Sequence, residues 1–214
     1  MLILQLSSML TTYWDPKISL IEGEFHQRFL REAYLHAWNY SEDEVTKTGA
    51  VIVNPTLNEI LAYGVNHYPE GLNPTPEQRQ DKNWKYGHII HAEPSAIFAV
   101  ARNGKSTKDA VMYMPWVPCV PCANAIIDSG IKKLIGHKEM IMMTPERWWE
   151  STGEAIGQLK KCGVEMCMYE GQIKDVQNES SISGSVKQEL IHYSLIINKE
   201  HVLYIKLKES INFH

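Results

Sequence analysis

The sequence predicts an α/β domain of three layers (α/β/α), in which helices cover both faces of a mixed five-stranded sheet. Segments with apolar residues at helical spacing alternate with short apolar runs, and the predicted order of elements is α-β-β-α-β-α-β-α-β. The first two strands are separated by a short turn, which favours a hairpin. The later strands are joined through helices, which requires parallel or mixed pairing and places helices against both faces of the sheet.

The predicted elements begin with a helix over residues 18–40, where apolar residues recur at helical spacing. Residues 49–53 (GAVIV) and 59–65 (EILAYGV) are strand-like, and the intervening NPTLN carries turn-forming residues. A polar, proline-containing loop is expected over residues 66–87. The remaining elements are expected in this order: helix 92–102, strand 110–114, helix 119–128, strand 132–136, helix 145–161 and strand 164–169.

The chain is expected to contain one main domain with an extension at each end. Residues 1–17 are predicted as an N-terminal extension, residues 18–170 as the main domain, and residues 171–185, which include QNESSISGS, as a linker. Beyond the linker, IHYSLIIN and VLYIKLK flank NKEH and predict a C-terminal β-hairpin extension over residues 186–214. A two-stranded hairpin is marginally stable alone, so we expect it to dock on the domain or on another subunit.

The overall composition argues against several classes of protein. The 214 residues carry a formal net charge of −4, which does not favour binding to a nucleic-acid backbone. No stretch approaches the roughly 18 apolar residues of a membrane span, and the opening MLILQLSSML lacks the basic residues of a signal peptide. The four cysteines do not form the dense framework of a small secreted domain, so a cytoplasmic location is expected.

Two short motifs place metal-binding residue types at the starts of predicted helices. The motif HAE supplies His91 and Glu93, and PCVPC supplies Cys119 and Cys122. Two cysteines three positions apart at a helix start lie on one face of its first turn, where the helix dipole favours thiolates. One imidazole and two thiolates suit zinc and leave a fourth position open for water, as in catalytic sites. Glu93 would stay off the metal and transfer protons.

The cysteine pair has two other interpretations. It could be a redox dithiol, or half of a four-ligand structural zinc site that Cys162 or Cys167 completes. Cys167 lies in the alternating strand VEMCMY, where a small buried packing residue is expected. A redox dithiol would leave the HAE motif unexplained. We therefore favour the open zinc site.

With these residues, the chain resembles the zinc-dependent cytidine and deoxycytidylate deaminase superfamily over about residues 29–169. The resemblance includes TGAVIVN at 48–54, the H-x-E and P-C-x-x-C motifs, and CANAIIDSGIKKLI at 122–135. The segment GVNHYPEG at 64–71 is similar to a loop of the deoxycytidylate (dCMP) deaminases. The resemblance implies the cytidine deaminase-like fold, zinc as cofactor, and hydrolysis of dCMP to dUMP and ammonia with Glu93 as the proton shuttle.

The resemblance also implies substrate contacts near the metal. Asn66 would contact the sugar and orient the substrate, Trp116 would line the base pocket, and Ala92 is expected to contact the substrate. An ordinary turn role is the alternative for Asn66, and an aromatic core role is the alternative for Trp116. Trp148 and Trp149 are expected to pack the fourth predicted helix.

The segment before the HAE motif carries several basic residues. In a nucleotide enzyme, some of Arg79, Lys82 and Lys85 would receive the 5′-phosphate through charge-assisted hydrogen bonds. Each of the three could instead be a solvated surface charge.

Two positions depart from the pattern of the family. His67 stands where the family commonly has glycine, which puts in doubt the regulation by dCTP and dTTP that is known in the group. Ser95 stands where an asparagine is usual, so one polar contact near the substrate is expected to differ. The catalytic and metal-binding motifs themselves are intact.

Two further classes of function stay open. A deaminase of another substrate would act on cytidine, a modified dCMP, guanine or adenosine in tRNA, and the acidic net charge argues mildly against tRNA. A non-catalytic zinc protein would serve assembly or nucleotide sensing, but such a site has no need of an acid like Glu93. The expected partners are a small-molecule nucleotide and, by resemblance, further copies of this chain; no membrane and no nucleic acid are expected.

Overall fold

The computed structural model describes residues 18–142 and 144–173, and within them six strands form one mixed sheet. The strands are β1 (Ser19–Ile21), β2 (Gly49–Asn54), β3 (Glu59–Val65), β4 (Val111–Met114), β5 (Lys133–His137) and β6 (Glu165–Tyr169). Their order across the sheet is β1-β6-β5-β4-β2-β3. The first four strands in this order run parallel, whereas β2 is antiparallel to both β4 and β3. The predicted mixed α/β sheet is confirmed.

The helices cover both faces of this sheet. They are α1 (Glu24–Tyr40), α2 (Pro76–Gln80), α3 (Lys82–His88), α4 (Ala92–Arg102), α5 (Val120–Asp128), α6 (Lys138–Met142), a 3₁₀ helix (Glu146–Trp148) and α7 (Trp149–Lys161). Helix α1 packs on one face, where the ring centroid of Phe29 lies 4.9 Å from that of Tyr113. Helices α4, α5 and α7 bury their apolar residues on the other face, against Ile52 and Met112 of the sheet. Because successive side chains of a strand point to opposite faces of the sheet, the strands contribute apolar residues to the core on each face.

The structure corrects the predicted number of strands from five to six. Although residues 18–40 are predicted as one helix, Ser19–Ile21 forms strand β1, and helix α1 begins only at Glu24. Strand β1 pairs in parallel with β6, and the Glu170 amide donates to the Ile21 carbonyl oxygen at 3.0 Å. Gly23 separates the strand from the helix with a φ of 103°, a conformation that glycine adopts without strain.

The segment predicted as a loop over residues 66–87 contains helices α2 and α3. Thr75 and Gln78 form a capping box at the start of α2: the Gln78 amide donates to Thr75 Oγ1 at 3.3 Å, and the Thr75 amide donates to Gln78 Oε1 at 2.9 Å. At the start of α3, the Asn83 amide donates to Asp81 Oδ1 at 2.9 Å. These caps stabilise two helices that are too short for helical periodicity to reveal.

Several predicted segments lie outside the described residues. They are the N-terminal extension over 1–17, the linker from residue 174 onward and the C-terminal hairpin over 186–214. The division of the chain into domains therefore stays a prediction. Within the part of the chain that the structure describes, no helix has the length and apolar character to cross a membrane.

Candidate metal centre and active site

The three predicted zinc ligands come together at the starts of two helices. His91 directly precedes α4, Cys119 directly precedes α5, and Cys122 lies in the first turn of α5. His91 Nδ1 lies 3.6 Å from Cys119 Sγ and 3.4 Å from Cys122 Sγ. In residues 18–142 and 144–173, this is the one group of three or more metal-binding side chains that the structure brings together.

The spacing of these atoms fits a zinc ion. Zinc binds nitrogen at about 2.0–2.1 Å and thiolate sulfur at about 2.3 Å, so tetrahedral coordination places the nitrogen and each sulfur roughly 3.5 Å apart. The observed distances of 3.4 and 3.6 Å agree with this value. Cys162 is exposed, Cys167 is buried in β6, and neither belongs to the cluster. The geometry therefore supports a three-ligand site and not one closed by a third cysteine.

The pKa shifts of the two cysteines also favour a bound cation at this site. Hydrogen bonds from Cys122 and from His91 outweigh burial and lower the pKa of Cys119 to about 4. The same contact with Cys119, together with burial and the nearby Glu93, raises the pKa of Cys122. Because a second thiolate here needs compensating positive charge, a divalent ion suits the pair.

The start of α4 is held against strand β3 by a glycine and two hydrogen bonds. A Cβ atom on Gly64 would lie 2.2 Å from the Ala92 carbonyl oxygen, so only glycine permits this approach. The Ala92 amide donates to Asn66 Oδ1 at 3.0 Å, and the Val65 amide donates to Ser95 Oγ at 3.3 Å. These contacts position the helix that carries the histidine ligand.

The start of α5 is positioned by helix α7. The Val120 amide, which directly follows Cys119, donates to Ser151 Oγ of α7 at 3.2 Å. Pro121 lies in the first turn of α5, where the missing amide proton costs no helical hydrogen bond. Ser151, which is distant in the chain, therefore helps to fix the helix end that carries the cysteine pair.

Glu93 lies in the first turn of α4, two residues after the histidine ligand. Its residue is only 4% exposed, and burial is the main cause that raises the pKa of its carboxyl group, although the nearby His91 opposes the shift. A raised pKa suits a carboxyl group that must both accept and release protons near neutral pH. Its role as the proton shuttle stays a prediction.

A pocket that opens to the surface reaches the metal-binding cluster. His91, Cys119 and Glu93 form part of its wall, and the predicted substrate-contact residues Asn66 and Trp116 line the same pocket. The structure therefore brings both residues into the pocket that reaches the metal-binding cluster, and their contact with substrate stays a prediction.

Ala92, which is also predicted to contact substrate, does not line this pocket. The residue is fully buried, and its amide is already bonded to Asn66. The Asn66 side chain in turn donates from Nδ2 to the Thr46 carbonyl oxygen at 2.8 Å. Ala92 and Thr46 therefore hold the Asn66 amide in one orientation.

None of the three basic residues predicted to bind phosphate lines the pocket. Arg79 on α2 and Lys82 on α3 are exposed, and the Arg79 guanidinium carbon lies 5.0 Å from the ring centroid of Tyr68. Lys85 is buried, and its Nζ lies 3.1 and 3.2 Å from the two carboxylate oxygens of Asp43. The phosphate role of these residues stays a prediction, and the ion pair gives Lys85 a structural role.

Much of the pocket wall carries no signal in the sequence. The lining residues that no motif marks are Asp43, Thr46, Tyr86, Ile89, Met114, Val117, Thr144, Pro145, Arg147, Trp148 and Thr152. They come from segments far apart in the chain and meet only because the sheet brings the ends of those segments together. Trp148, which is predicted to pack a helix, is one of them.

Comparison with known proteins agrees with this geometry. The family described as the cytidine and deoxycytidylate deaminase zinc-binding region matches residues 23–138, more than half of the chain. Deoxycytidylate deaminase of Mus musculus is 37% identical over 117 residues, which cover 52% of this chain and 64% of the mouse protein. Deoxycytidylate deaminase of Enterobacteria phage T4 is 52% identical over 52 residues, which cover 24% of this chain and 27% of the phage protein.

A solved structure shares the fold. The dCMP deaminase from cyanophage S-TIM5, in complex with dCMP and dUMP, matches with a TM-score of 0.54 and 22% identity, over 69% of this chain and 98% of that one. The chain thus spans less than two thirds of the length of the mouse relative, but nearly the whole of the cyanophage structure. The cytidine deaminase-like fold is confirmed. With its zinc-binding region matched and its ligands assembled, the chain belongs to the cytidine and deoxycytidylate deaminase family.

Proposed function

We propose that the protein hydrolyses the exocyclic amine of dCMP and releases dUMP and ammonia. The observation that carries the proposal is the buried Glu93 carboxyl group beside the cluster of His91, Cys119 and Cys122, on the wall of one open pocket. The similarity to proteins named deoxycytidylate deaminase supports the choice of substrate.

His91, Cys119 and Cys122 would hold the zinc ion. Bound zinc lowers the pKa of a water molecule to about 7 and so supplies a nucleophile near neutral pH. Three protein ligands would leave a coordination position of the ion open for that water. The proton transfers then fall to Glu93, the acidic residue that lines the pocket next to the cluster.

Glu93 would carry two protons in sequence. Its carboxylate takes the proton that water loses as the oxygen adds to C4, and it delivers that proton to N3 of the ring. It then moves the proton of the new hydroxyl group to the exocyclic nitrogen, which leaves as ammonia while C4 becomes a carbonyl. The raised pKa of Glu93 helps the carboxyl group to hold each proton between these two transfers.

Asn66 and Trp116 would position the substrate. We expect the Asn66 amide to contact the sugar, and its two bonds to the backbone fix its orientation before the substrate binds. The Trp116 indole donates to the Met140 carbonyl oxygen, which holds the ring at the pocket wall, where its apolar surface suits the base. Orientation of this kind lowers the entropic part of the barrier.

The proposal extends to partners and location. The substrate would be a small nucleotide, we expect the chain to self-associate, as the resemblance implies, and we expect a cytoplasmic location from the small number of cysteines. Sedimentation of the purified full chain would measure the subunit number directly. A strictly monomeric protein would contradict the expected self-association but would not bear on the proposed reaction.

Ammonia release by the zinc-loaded protein tests the proposed activity. The substrates to compare are dCMP, deoxycytidine, dCTP, guanine and tRNA. We expect the highest kcat/KM for dCMP. Faster turnover of another compound would move the assignment to a different deaminase substrate, and a fully zinc-loaded protein that turns over none of them would indicate a non-catalytic zinc protein.

A further inference from the structure

The charges on the pocket wall are unevenly distributed. The charged or titratable lining residues are Asp43, His91, Glu93 and Arg147, along with the cysteine ligand and Tyr86. Asp43 is bonded to Lys85, while His91 and Glu93 belong to the metal centre. Within the described part of the chain, Arg147 has no hydrogen bond or ion pair to another side chain. Its guanidinium group is therefore available to a ligand.

Arg147 lies at the mouth of the pocket. It belongs to the 3₁₀ helix Glu146–Trp148, and its side chain is exposed. The adjacent Trp148 meets Tyr86 of α3 edge to face, with ring centroids 5.8 Å apart and an interplanar angle of 77°. The residue Tyr86 is 41% exposed. The mouth is thus formed where these two helical segments touch, with an arginine on one and a phenol on the other.

Among the described lining residues, the wall offers an anion several threonine hydroxyl groups but one cation outside the metal centre, Arg147. If the base reacts beside Glu93, the rest of the substrate must extend toward the pocket mouth. Lys85 can reach a phosphate only by leaving Asp43 as a buried, unpaired carboxylate, which is strongly unfavourable. A guanidinium group, by contrast, offers a planar pair of donors that matches two phosphate oxygens.

We propose that Arg147, with the Tyr86 hydroxyl as a second donor, binds the 5′-phosphate of the substrate and so makes the site selective for a nucleoside monophosphate over the nucleoside. The inference rests on the proposed function, because it assumes that the base is placed beside Glu93. It assigns the phosphate to the pocket mouth and not to the exposed residues Arg79 and Lys82 of helices α2 and α3.

The test is the ratio of kcat/KM for dCMP to kcat/KM for deoxycytidine in zinc-loaded variants. Arg147→Gln should lower kcat/KM for dCMP by about 10- to 100-fold, the loss expected for one charge-assisted hydrogen bond, and leave deoxycytidine within about twofold. Arg147→Lys should restore part of the loss. Arg102→Gln, at the exposed C-terminal end of α4 and away from the pocket, is the matched control and should change neither value.

Two results would overturn the inference. An equal loss for both substrates in Arg147→Gln would mean that Arg147 supports the pocket structurally. A selective loss in Arg79→Gln or Lys82→Gln, with Arg147→Gln unchanged, would place the phosphate at α2 and α3.

A binding measurement separates this inference from the proposed function. If the wild-type protein deaminates neither substrate, the proposed activity fails, and calorimetry with dUMP and deoxyuridine then decides the role of Arg147. Weaker binding of dUMP alone in Arg147→Gln supports the phosphate contact. Equal binding by the variant and the wild-type protein, or binding of neither ligand, contradicts it.

Discussion

Lys85 and Asp43 form a buried ion pair next to the pocket, with the lysine Nζ 3.1 Å from Asp43 Oδ1 and 3.2 Å from Oδ2. The lysine and aspartate side chains are only 8% and 5% exposed. Asp43 Oδ1 also accepts hydrogen bonds from the amides of Val45 and Thr46 at 3.0 and 3.1 Å. The Asp43 carboxylate therefore links helix α3 to the loop that contains Thr46. Thr46 lines the pocket, and its carbonyl oxygen accepts the hydrogen bond from Asn66 Nδ2.

Lys85→Met should destabilise the fold, because it leaves the Asp43 carboxylate buried without its partner. We expect the free energy of unfolding to fall by about 3–5 kcal/mol, measured by denaturant titration of the zinc-loaded protein. The double variant Asp43→Asn/Lys85→Met should regain most of the loss, since an asparagine oxygen can still accept from the Val45 amide. Lys82→Met, on the exposed face of the same helix, should stay within about 0.5 kcal/mol of wild type. A Lys85→Met protein as stable as wild type would show that the ion pair does not contribute to the free energy of unfolding.

Glu93→Gln should remove the proton shuttle and leave the metal in place. The amide is nearly isosteric with the acid, but it cannot take up a proton near neutral pH. We expect kcat for dCMP to fall by about 10²- to 10⁴-fold, the range for general acid–base catalysis, while zinc content by metal analysis stays at the wild-type value. Glu154→Gln on the exposed face of α7 is the control. Turnover at the wild-type rate by a fully zinc-loaded Glu93→Gln protein would remove Glu93 from the mechanism.

The metal-binding residues could be predicted because they lie in two short sequence motifs. His91 and Glu93 lie within three residues, and Cys119 and Cys122 lie within one helical turn, so each pair is placed by local geometry alone. Both pairs also fall where a strand or loop turns into a helix, a boundary that residue patterns reveal well. The order α4-β4-α5-β5-α7-β6 could be predicted for the same reason, whereas the short helices α2, α3 and α6 were not predicted.

Features that depend on contacts between distant parts of the chain could not be predicted. Strand β1 has three residues, and its partner β6 lies at the other end of the described fold, so its sequence alone resembles the start of a helix. Lys85 looks like any other basic residue of its segment until Asp43 is placed beside it. Arg147 lines the pocket from the 3₁₀ helix whose Trp148 packs against Tyr86 of α3, a contact between distant parts of the chain. The capping box of Thr75 and Gln78 is different, because its signal is local and readable.

Cys122→Ser should lower zinc affinity sharply, because it removes one of the three protein ligands. The loss should exceed the roughly 10- to 100-fold effect of removing a residue that only orients a ligand. Competition with a chelator measures the affinity, and the thermal midpoint should fall when zinc is removed from the wild-type protein, since zinc binds the folded state. Cys162→Ser, at the exposed C-terminal end of α7, is the matched control and should bind zinc as wild type does. Zinc loss in Cys162→Ser would instead indicate a closed site with Cys162 as the fourth ligand.

Gly64→Ala should disturb the metal centre through the backbone. The added Cβ would lie 2.2 Å from the Ala92 carbonyl oxygen and 2.3 Å from the Ala96 amide nitrogen, and neither backbone atom can move without shifting helix α4. We expect a loss of about 1–3 kcal/mol in the free energy of unfolding together with weaker zinc binding, because His91 moves with the helix. In Gly157→Ala of α7, the new Cβ would meet no atom within 4 Å beyond its chain neighbours and its own helix backbone, and the change should be stabilising by up to about 1 kcal/mol. Equal stability and zinc affinity in Gly64→Ala and wild type would mean that the close approach of β3 to α4 does not position the histidine ligand.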